Sequence, residues 1–281
     1  MKAYPVTVLC AVMRVSRNGF YDYLARYKSG DDNRPDETAL KRRIKEIFDQ
    51  SRASYGSRRM VKQLQGEGRQ IGRYKVRRIM RQLGLKAKTP KRFKLTTDSK
   101  HSLPVASNIL DRKFDVQVPN TVWTADISYV WTYEGWLYLS VVMDLYSRQI
   151  VGWATNERMK KQLVLDALAM AYWQRKPSKG LLHHSDRGSQ YASHEYQRQL
   201  QFYGMTASMS RKGNCWDNAP TERFFRSLKS ERLTACRFVT RNQAKNEILD
   251  YITFYNSIRL HSTLGYLSPM AYEKEQYLKV A

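Results

Sequence analysis

Three acidic residues carry the chemistry this sequence could do: Asp126 in VWTADISYV, Asp186 in HHSDRGSQY and Glu222 in GNCWDNAPTERFF. They come from three separate segments, so gathering them sets like charges against one another. At about 4 Å two such charges repel by roughly 4 kcal/mol at an effective dielectric near 20. A hard divalent cation removes that repulsion, and Mg2+ (or Mn2+) prefers carboxylate and phosphate oxygens. No rival chemistry is evident. Cys10, Cys215 and Cys236 have no C-x-x-C spacing, and no cysteine lies near the five histidines with zinc-ligand spacing. Gly188 and Gly213 read as turn residues rather than a phosphate-cradling loop, so no nucleotide cofactor is expected. Nor is there a convincing Ser/His/Asp or Cys/His arrangement, so no protein nucleophile is expected.

The surroundings of these acids point to a polyanion. The 281 residues contain 49 Lys and Arg against 25 Asp and Glu, a net charge of +24. The excess is concentrated early, with 16 basic and 2 acidic residues between 52 and 100. So one-sided a field destabilises a compact domain unless a polyanion screens it, and nucleic acid is the expected partner. Sparse, odd cysteines suit a reducing cytoplasm. The apolar run Val6–Met13 lacks the length and cleavage pattern of a signal peptide and reads as a short buried helix, and Trp136–Met143 is too short to span a bilayer.

The elements that must position the acids follow from periodicity. Residues 6–28 read as two short helices broken at Arg17-Asn18-Gly19. Asp36 reads as the cap of a helix with Leu40, Ile44, Ile47 and Phe48 on one face. Met60, Val61 and Leu64, then Val76, Ile79, Met80 and Leu83, give two more apolar stripes stopped by glycines. Three short amphipathic helices of this kind suit a helix-turn-helix bundle. The last carries Arg73, Lys75, Arg77, Arg78 and Arg81 off its stripe, with no interspersed acid to pair them, as befits a helix laid on DNA. Residues 86–115 read as a basic linker between this region (1–85) and a second one (116–281).

In the second region, alternation from Val122 to Trp131 predicts a strand with an aromatic face and a face bearing Asp126. Strands over 136–145 and 149–154 complete a meander. A helix over 160–175 has Leu163, Ala167 and Met170 on one face. A short strand then ends before Asp186, helix 193–203 and strand 205–209 follow, and Glu222 opens a helix over 221–232. The fold class is therefore α/β, a mixed sheet with helices on both faces, preceded by an all-α region. At 3.6 residues per turn, Glu222, Arg226 and Lys229 fall within about 60° of one helix face, while Phe224, Phe225 and Leu228 face a core. Asp217 and Asp144 are rival acids, read as shaping a loop and a hairpin end. His183 and His184 read as a strand end with one partly buried imidazole. Trp123 and Trp216 read as packing residues, although Trp216, on the loop before Glu222, could wedge against a base.

The order strand-Asp, strand-Asp-Arg-Gly-Ser-Gln-Tyr, loop-Asp-Asn-Ala, helix-Glu resembles the DDE transposase and retroviral integrase superfamily, whose core is RNase H-like. The closer resemblance is to the second-frame (OrfB) subunit of bacterial insertion sequences of the "insertion sequence three" type. SYGSRRM near residue 54 and YNSIRLHSTLGYLSP at 255–269 carry it. It implies Asp126, Asp186 and Glu222 as metal-binding catalytic acids, with two Mg2+ or Mn2+ ions bracketing a scissile phosphate. Arg58, Arg59, Arg73, Lys75, Arg77, Arg78, Arg187, Arg226 and Lys229 are the candidate DNA contacts. The expected activity is cleavage and strand transfer at element ends, in the bacterial cytoplasm at the nucleoid. A dimer or larger assembly is implied, as is an upstream-frame (OrfA) product that acts as fusion or partner. A non-catalytic DNA-binding regulator and an RNase H-like nuclease without strand joining remain as alternatives.

Overall fold

The computed structural model describes residues 5–28, 35–88, 103–234 and 236–280. Two compact units are present, Met1–Ala87 and Lys88–Ala281. Residues 89–102 of the basic linker stretch, including Lys91, Arg92, Lys94 and Lys100, lie outside the described residues.

The first unit contains α1 (Val6–Val12), α2 (Arg17–Lys28), α3 (Pro35–Gln50), α4 (Ser57–Gly66) and α5 (Arg73–Gln82). Helix α1 is not the buried helix the sequence suggested: of its residues Cys10 is buried, while Val8, Leu9 and Val12 are exposed. The break between α1 and α2 falls at residues 13–16, earlier than the sequence suggested. Ser16 is the reason: its Oγ accepts the Gly19 amide at 3.0 Å, so Arg17-Asn18-Gly19 opens α2 rather than ending α1. Helix α3 begins at Pro35, which places Asp36 inside the first turn rather than ahead of it. The three apolar stripes meet as expected: Leu40, Ile44, Ile47, Met60, Val61, Leu64, Val76, Ile79 and Met80 are all buried. A two-pronged ion pair, Arg43 to Glu67 at 2.9 and 2.7 Å, ties α3 to the end of α4.

The second unit is built on a five-stranded mixed sheet. Its elements are β1 (Val122–Thr132), β2 (Gly135–Asp144), β3 (Ile150–Asn156), α6 (Lys161–Arg175), β4 (Leu182–Ser185), α7 (Ser189–Ala192), α8 (His194–Phe202), β5 (Thr206–Met209), α9 (Ala219–Leu228), α10 (Arg241–Ser257) and α11 (Pro269–Val280). Strand order is β3-β2-β1-β4-β5. The first three strands pair antiparallel, and β4 and β5 add in parallel. With helices on both faces, this is the RNase H-like arrangement expected.

On one face, Trp123, Ala125, Val151, Leu168, Tyr191, Tyr196 and Leu200 form a continuous core under α6 and α8. Helix α6 lies directly on β3 because Gly152 leaves room: a Cβ there would meet the Ala171 Cβ at 2.7 Å. Met170 does not share this buried face as the spacing suggested. It is exposed, and Leu168 and Ala171 take the core positions beside Leu163 and Ala167. On the other face, Phe224, Phe225 and Leu228 of α9 and Tyr251 and Tyr255 of α10 are buried, with Phe224 and Tyr255 edge to face at 4.8 Å. Helix α9 stops at Leu228 and continues as a π turn, Lys229–Leu233, where the sequence suggested unbroken α-helix to 232. The Thr234 amide and hydroxyl both bond the Lys229 carbonyl there, at 2.8 and 2.7 Å.

Candidate active site

Strand register brings the first two acids together. Thr124 of β1 lies opposite His184 of the parallel strand β4. The same offset carried two residues further sets Asp126 beside Asp186, which begins the loop after β4. There the Asp186 Oδ1 accepts the Gly188 amide at 2.9 Å. Gly188 permits that close approach, since a Cβ would come within 3.0 Å of the same oxygen. Asp126 is half-buried, and its Oδ1 accepts the Ile127 amide at 2.8 Å.

The third acid arrives on the first turn of α9. Two side chains sew that turn to β1. Asn218 donates Nδ2 to the Ala125 carbonyl at 3.0 Å, and the Thr221 and Thr124 hydroxyls lie 2.6 Å apart. Asn218, Thr221 and Thr124 were not singled out from sequence as site residues. For Thr221 and Thr124 the only signal was position, one and two residues from an acid, whereas Asn218 stood in the loop-Asp-Asn-Ala motif. Tyr191, five residues past Asp186, is a further buried neighbour; burial pushes its phenol pKa well up, with Tyr196, Asp126 and Asp186 adding to the rise.

The electrostatics are those of a crowded carboxylate group. Burial raises the Asp126 pKa well above the usual carboxylate range; the charges of Asp186 and Glu222 raise it further, and Lys229 opposes them. Burial, then Asp186, raises the Glu222 pKa as well. Lys229 sits over the Tyr129 ring at 5.0 Å, and burial lowers its pKa to about 8 against the pull of Asp126. Oxygen donors strained by mutual repulsion have the right chemistry for a hard divalent cation. Among the described residues, however, no group of three or more His, Cys, Asp or Glu side chains converges closely enough to hold a metal ion as it stands. One oxygen of Asp126 and one of Asp186 are turned to backbone amides instead.

The rival acids are committed elsewhere. Asp217 is fully buried and accepts from Arg211, Arg112 and Asn108, which holds its pKa far below the usual range. Asp144 accepts the Asn120 and Tyr146 amides, as the end of a hairpin, and burial raises its pKa to about 6. Asn108 and Arg112, in the stretch read as linker, are thus packed against the second unit; Ser208 also accepts the Ile109 amide at 2.9 Å. Both His183 and His184 are buried, not one of them partly. His183 bonds the Tyr196 hydroxyl, and His184 bonds Ser208 and Ser210. Burial lowers their pKa values to about 3 and about 4. Trp123 packs in the core as expected, whereas Trp216 is 71% exposed on the short 3-10 turn Cys215–Asn218 ahead of α9.

The basic candidates divide similarly. Arg58, Arg73, Lys75 and Arg77 are exposed on the first unit, and Arg226 is exposed on α9. Arg59 lies over the Tyr55 ring, and Arg187 donates to the Ser210 carbonyl at 2.6 Å. Arg78 pairs with Glu37 at 3.3 Å, an acid supplied by α3 rather than by its own helix.

This fold is that of an integrase-type core, and comparison with known families agrees. Two families described as Integrase core domain match residues 117–215 and 222–277, and an HTH-like domain matches 35–93. The Shigella sonnei protein described as "Insertion element IS600 uncharacterized 31 kDa protein" is 44% identical over 97% of this chain and 100% of its own length. The Escherichia coli K12 protein "Transposase InsF for insertion sequence IS3A" is 38% identical over 97% of this chain and 95% of its own. The solved HTLV-2 integrase catalytic core domain in complex with magnesium is 17% identical and covers 55% of this chain and 97% of its own, with a TM-score of 0.43. The chain belongs to the IS3 family of insertion-sequence transposases. Among the described residues, no helix is long and apolar enough to cross a membrane.

Proposed function

We propose that this chain cleaves DNA at the ends of an insertion sequence and joins the freed ends to target DNA, using a divalent metal. What supports this reading is that the β1–β4 register and the bonds of Asn218 and Thr221 to β1 bring together the three segments that bear Asp126, Asp186 and Glu222. These three side chains would hold Mg2+ or Mn2+, two ions per site. Bound there, the ions supply activation of an attacking oxygen and charge stabilisation at the scissile phosphate.

The chain's own residues position and neutralise. Asn218 and Thr221 fix Glu222 against β1. Lys229 places positive charge beside Asp126, where a DNA phosphate would otherwise meet only carboxylates. The reaction needs no covalent enzyme intermediate. Water displaces a 3′-oxygen from phosphorus, leaving a 3′-hydroxyl, and that hydroxyl then displaces an oxygen at a second phosphodiester.

Arg58, Arg73, Lys75, Arg77 and Arg226 are proposed DNA contacts. The same role is proposed for Arg59, Arg78 and Arg187 only where DNA displaces their present partners. In domain terms, 1–85 binds DNA, 86–115 is the basic linker and 116–281 is the catalytic core. Cutting two ends in concert calls for a dimer or larger assembly, with an upstream-frame product as a partner or fusion. The site of action is the bacterial cytoplasm, at the nucleoid.

Labelled element ends incubated with Mg2+ and either the parent chain or Asp186→Asn test the reading. Nicked and joined products with the parent alone are expected. Nicks without joined strands indicate a nuclease, and binding without products in both proteins indicates a regulator.

A further inference from the structure

The β1–β2 hairpin and the segment from Lys229 to Phe238 line a groove of about 430 Å3. That is within the range of roughly 300–1,000 Å3 typical of ligand sites. Its wall is aromatic. Trp131, Tyr133 and Trp136, all in its lining, are 56%, 69% and 42% exposed. Trp136 meets Tyr129 and Trp131 edge to face, at 5.1 and 4.8 Å between ring centres. The charged residues in its lining, Lys229 and Arg237, are both basic. Lys229 connects groove and acids, because it lies over Tyr129 and also lowers the Asp126 pKa.

The platform is held rigid. The Tyr133 amide bonds the Phe238 carbonyl at 3.0 Å. Arg241 bonds the Glu134 and Trp136 carbonyls at 2.6 and 3.1 Å, fixing the hairpin turn to the start of α10. The exposed rings of Trp131 and Tyr133 stand on this tied backbone. They offer π surface to a flat partner, and the adjoining cations offer charge to its phosphate.

We propose that this groove binds one unpaired nucleotide of the DNA strand next to the scissile phosphate, its base stacked on Trp131 or Tyr133 and its phosphate facing Lys229 and Arg237. Stacking of this kind is tolerant of base identity. Duplex bases already spend their faces on each other, so the groove selects a strand end that is frayed or single-stranded. The inference rests on the proposed action on DNA ends, but its test does not need that activity.

A duplex end with a short single-stranded overhang carrying 2-aminopurine is titrated, without metal, with the full chain bearing Asp186→Asn. Quenched fluorescence is expected. Adding Trp131→Ala and Tyr133→Ala should abolish the quench and weaken overhang binding about tenfold, or ~1.4 kcal/mol. Trp131→Phe should retain most of both, and blunt duplex binding should not change. Any one of three results overturns the proposal: unchanged quenching in the alanine variant, an equal loss on an abasic overhang, or a change in sedimentation with the quench intact. The last would make the groove an interface between copies of the chain. Failure of the parent to cleave DNA would instead count against the proposed function and leave the stacking result standing.

Discussion

Thr221 Oγ1 lies 2.6 Å from Thr124 Oγ1, and both side chains are fully buried. One belongs to the turn that bears Glu222 and the other to the strand that bears Asp126. The spacing of two carboxylates that repel each other is thus set by a neutral bond between their neighbours. Removing one hydroxyl leaves the other buried without a partner, at a cost of about 1–3 kcal/mol, whereas replacing both is nearly neutral. Thr221→Val should therefore lower stability in urea unfolding by that amount, and adding Thr124→Val should recover most of it. If the two losses simply add, the bond has no such role.

Repulsion at the site should be visible in stability. The folded-state pKa values of Asp126 and Glu222 are raised, so their contribution is greatest below the ordinary carboxylate pKa and is lost as pH rises through the raised values. Asp186→Asn removes one source of the shift. Metal-free protein carrying it should lose less stability than the parent as pH rises from about 4 toward neutrality. Mg2+ should raise the melting temperature of the parent and leave the variant unmoved. A common response to the metal would remove Asp186 from the binding set.

Lys229 gives an alkaline limit. Its pKa, lowered to about 8 by burial, means that its charge fades in a range where an ordinary lysine keeps it. DNA cleavage by the parent should decline above about pH 8. Lys229→Arg should carry the plateau upward in pH, because a guanidinium does not titrate there. A decline at the same pH in both proteins would assign the limb to another group.

The two neighbouring arginines of α5 should differ. Arg77 is exposed, whereas Arg78 already pairs with Glu37. In a plot of log affinity against log salt, Arg77→Gln should flatten the slope by about 0.9, the value of one phosphate contact, and Arg78→Gln by less. Equal changes would mean that DNA takes Arg78 from Glu37.

Much of this molecule could be read from its chain because the relevant signals are local. Alternation along Val122–Trp131 and the apolar stripes of α3, α4 and α5 needed only neighbouring residues, and these elements stand where periodicity placed them. Distant pairing was not legible. Nothing in the sequence marks Arg259 and Glu231 as partners, yet they meet at 2.7 Å in the core, where the YNSIRLHSTLGYLSP segment locks the end of α9. Asp217 and Arg112 are likewise 105 residues apart and bonded at 2.8 Å. The exposure of Trp216 and Met170 depended on what other segments left uncovered, which local spacing does not report.

The π turn after Leu228 makes segment length as consequential as residue identity. Each α-helical residue advances the chain by about 100°. Deleting one residue between Lys229 and Leu233 would restore ordinary winding and swing Arg237 and Phe238 away from the aromatic hairpin. Insertions and deletions there should therefore cost more than substitutions, because they change the number of links between Lys229 and Phe238 in the lining of the groove.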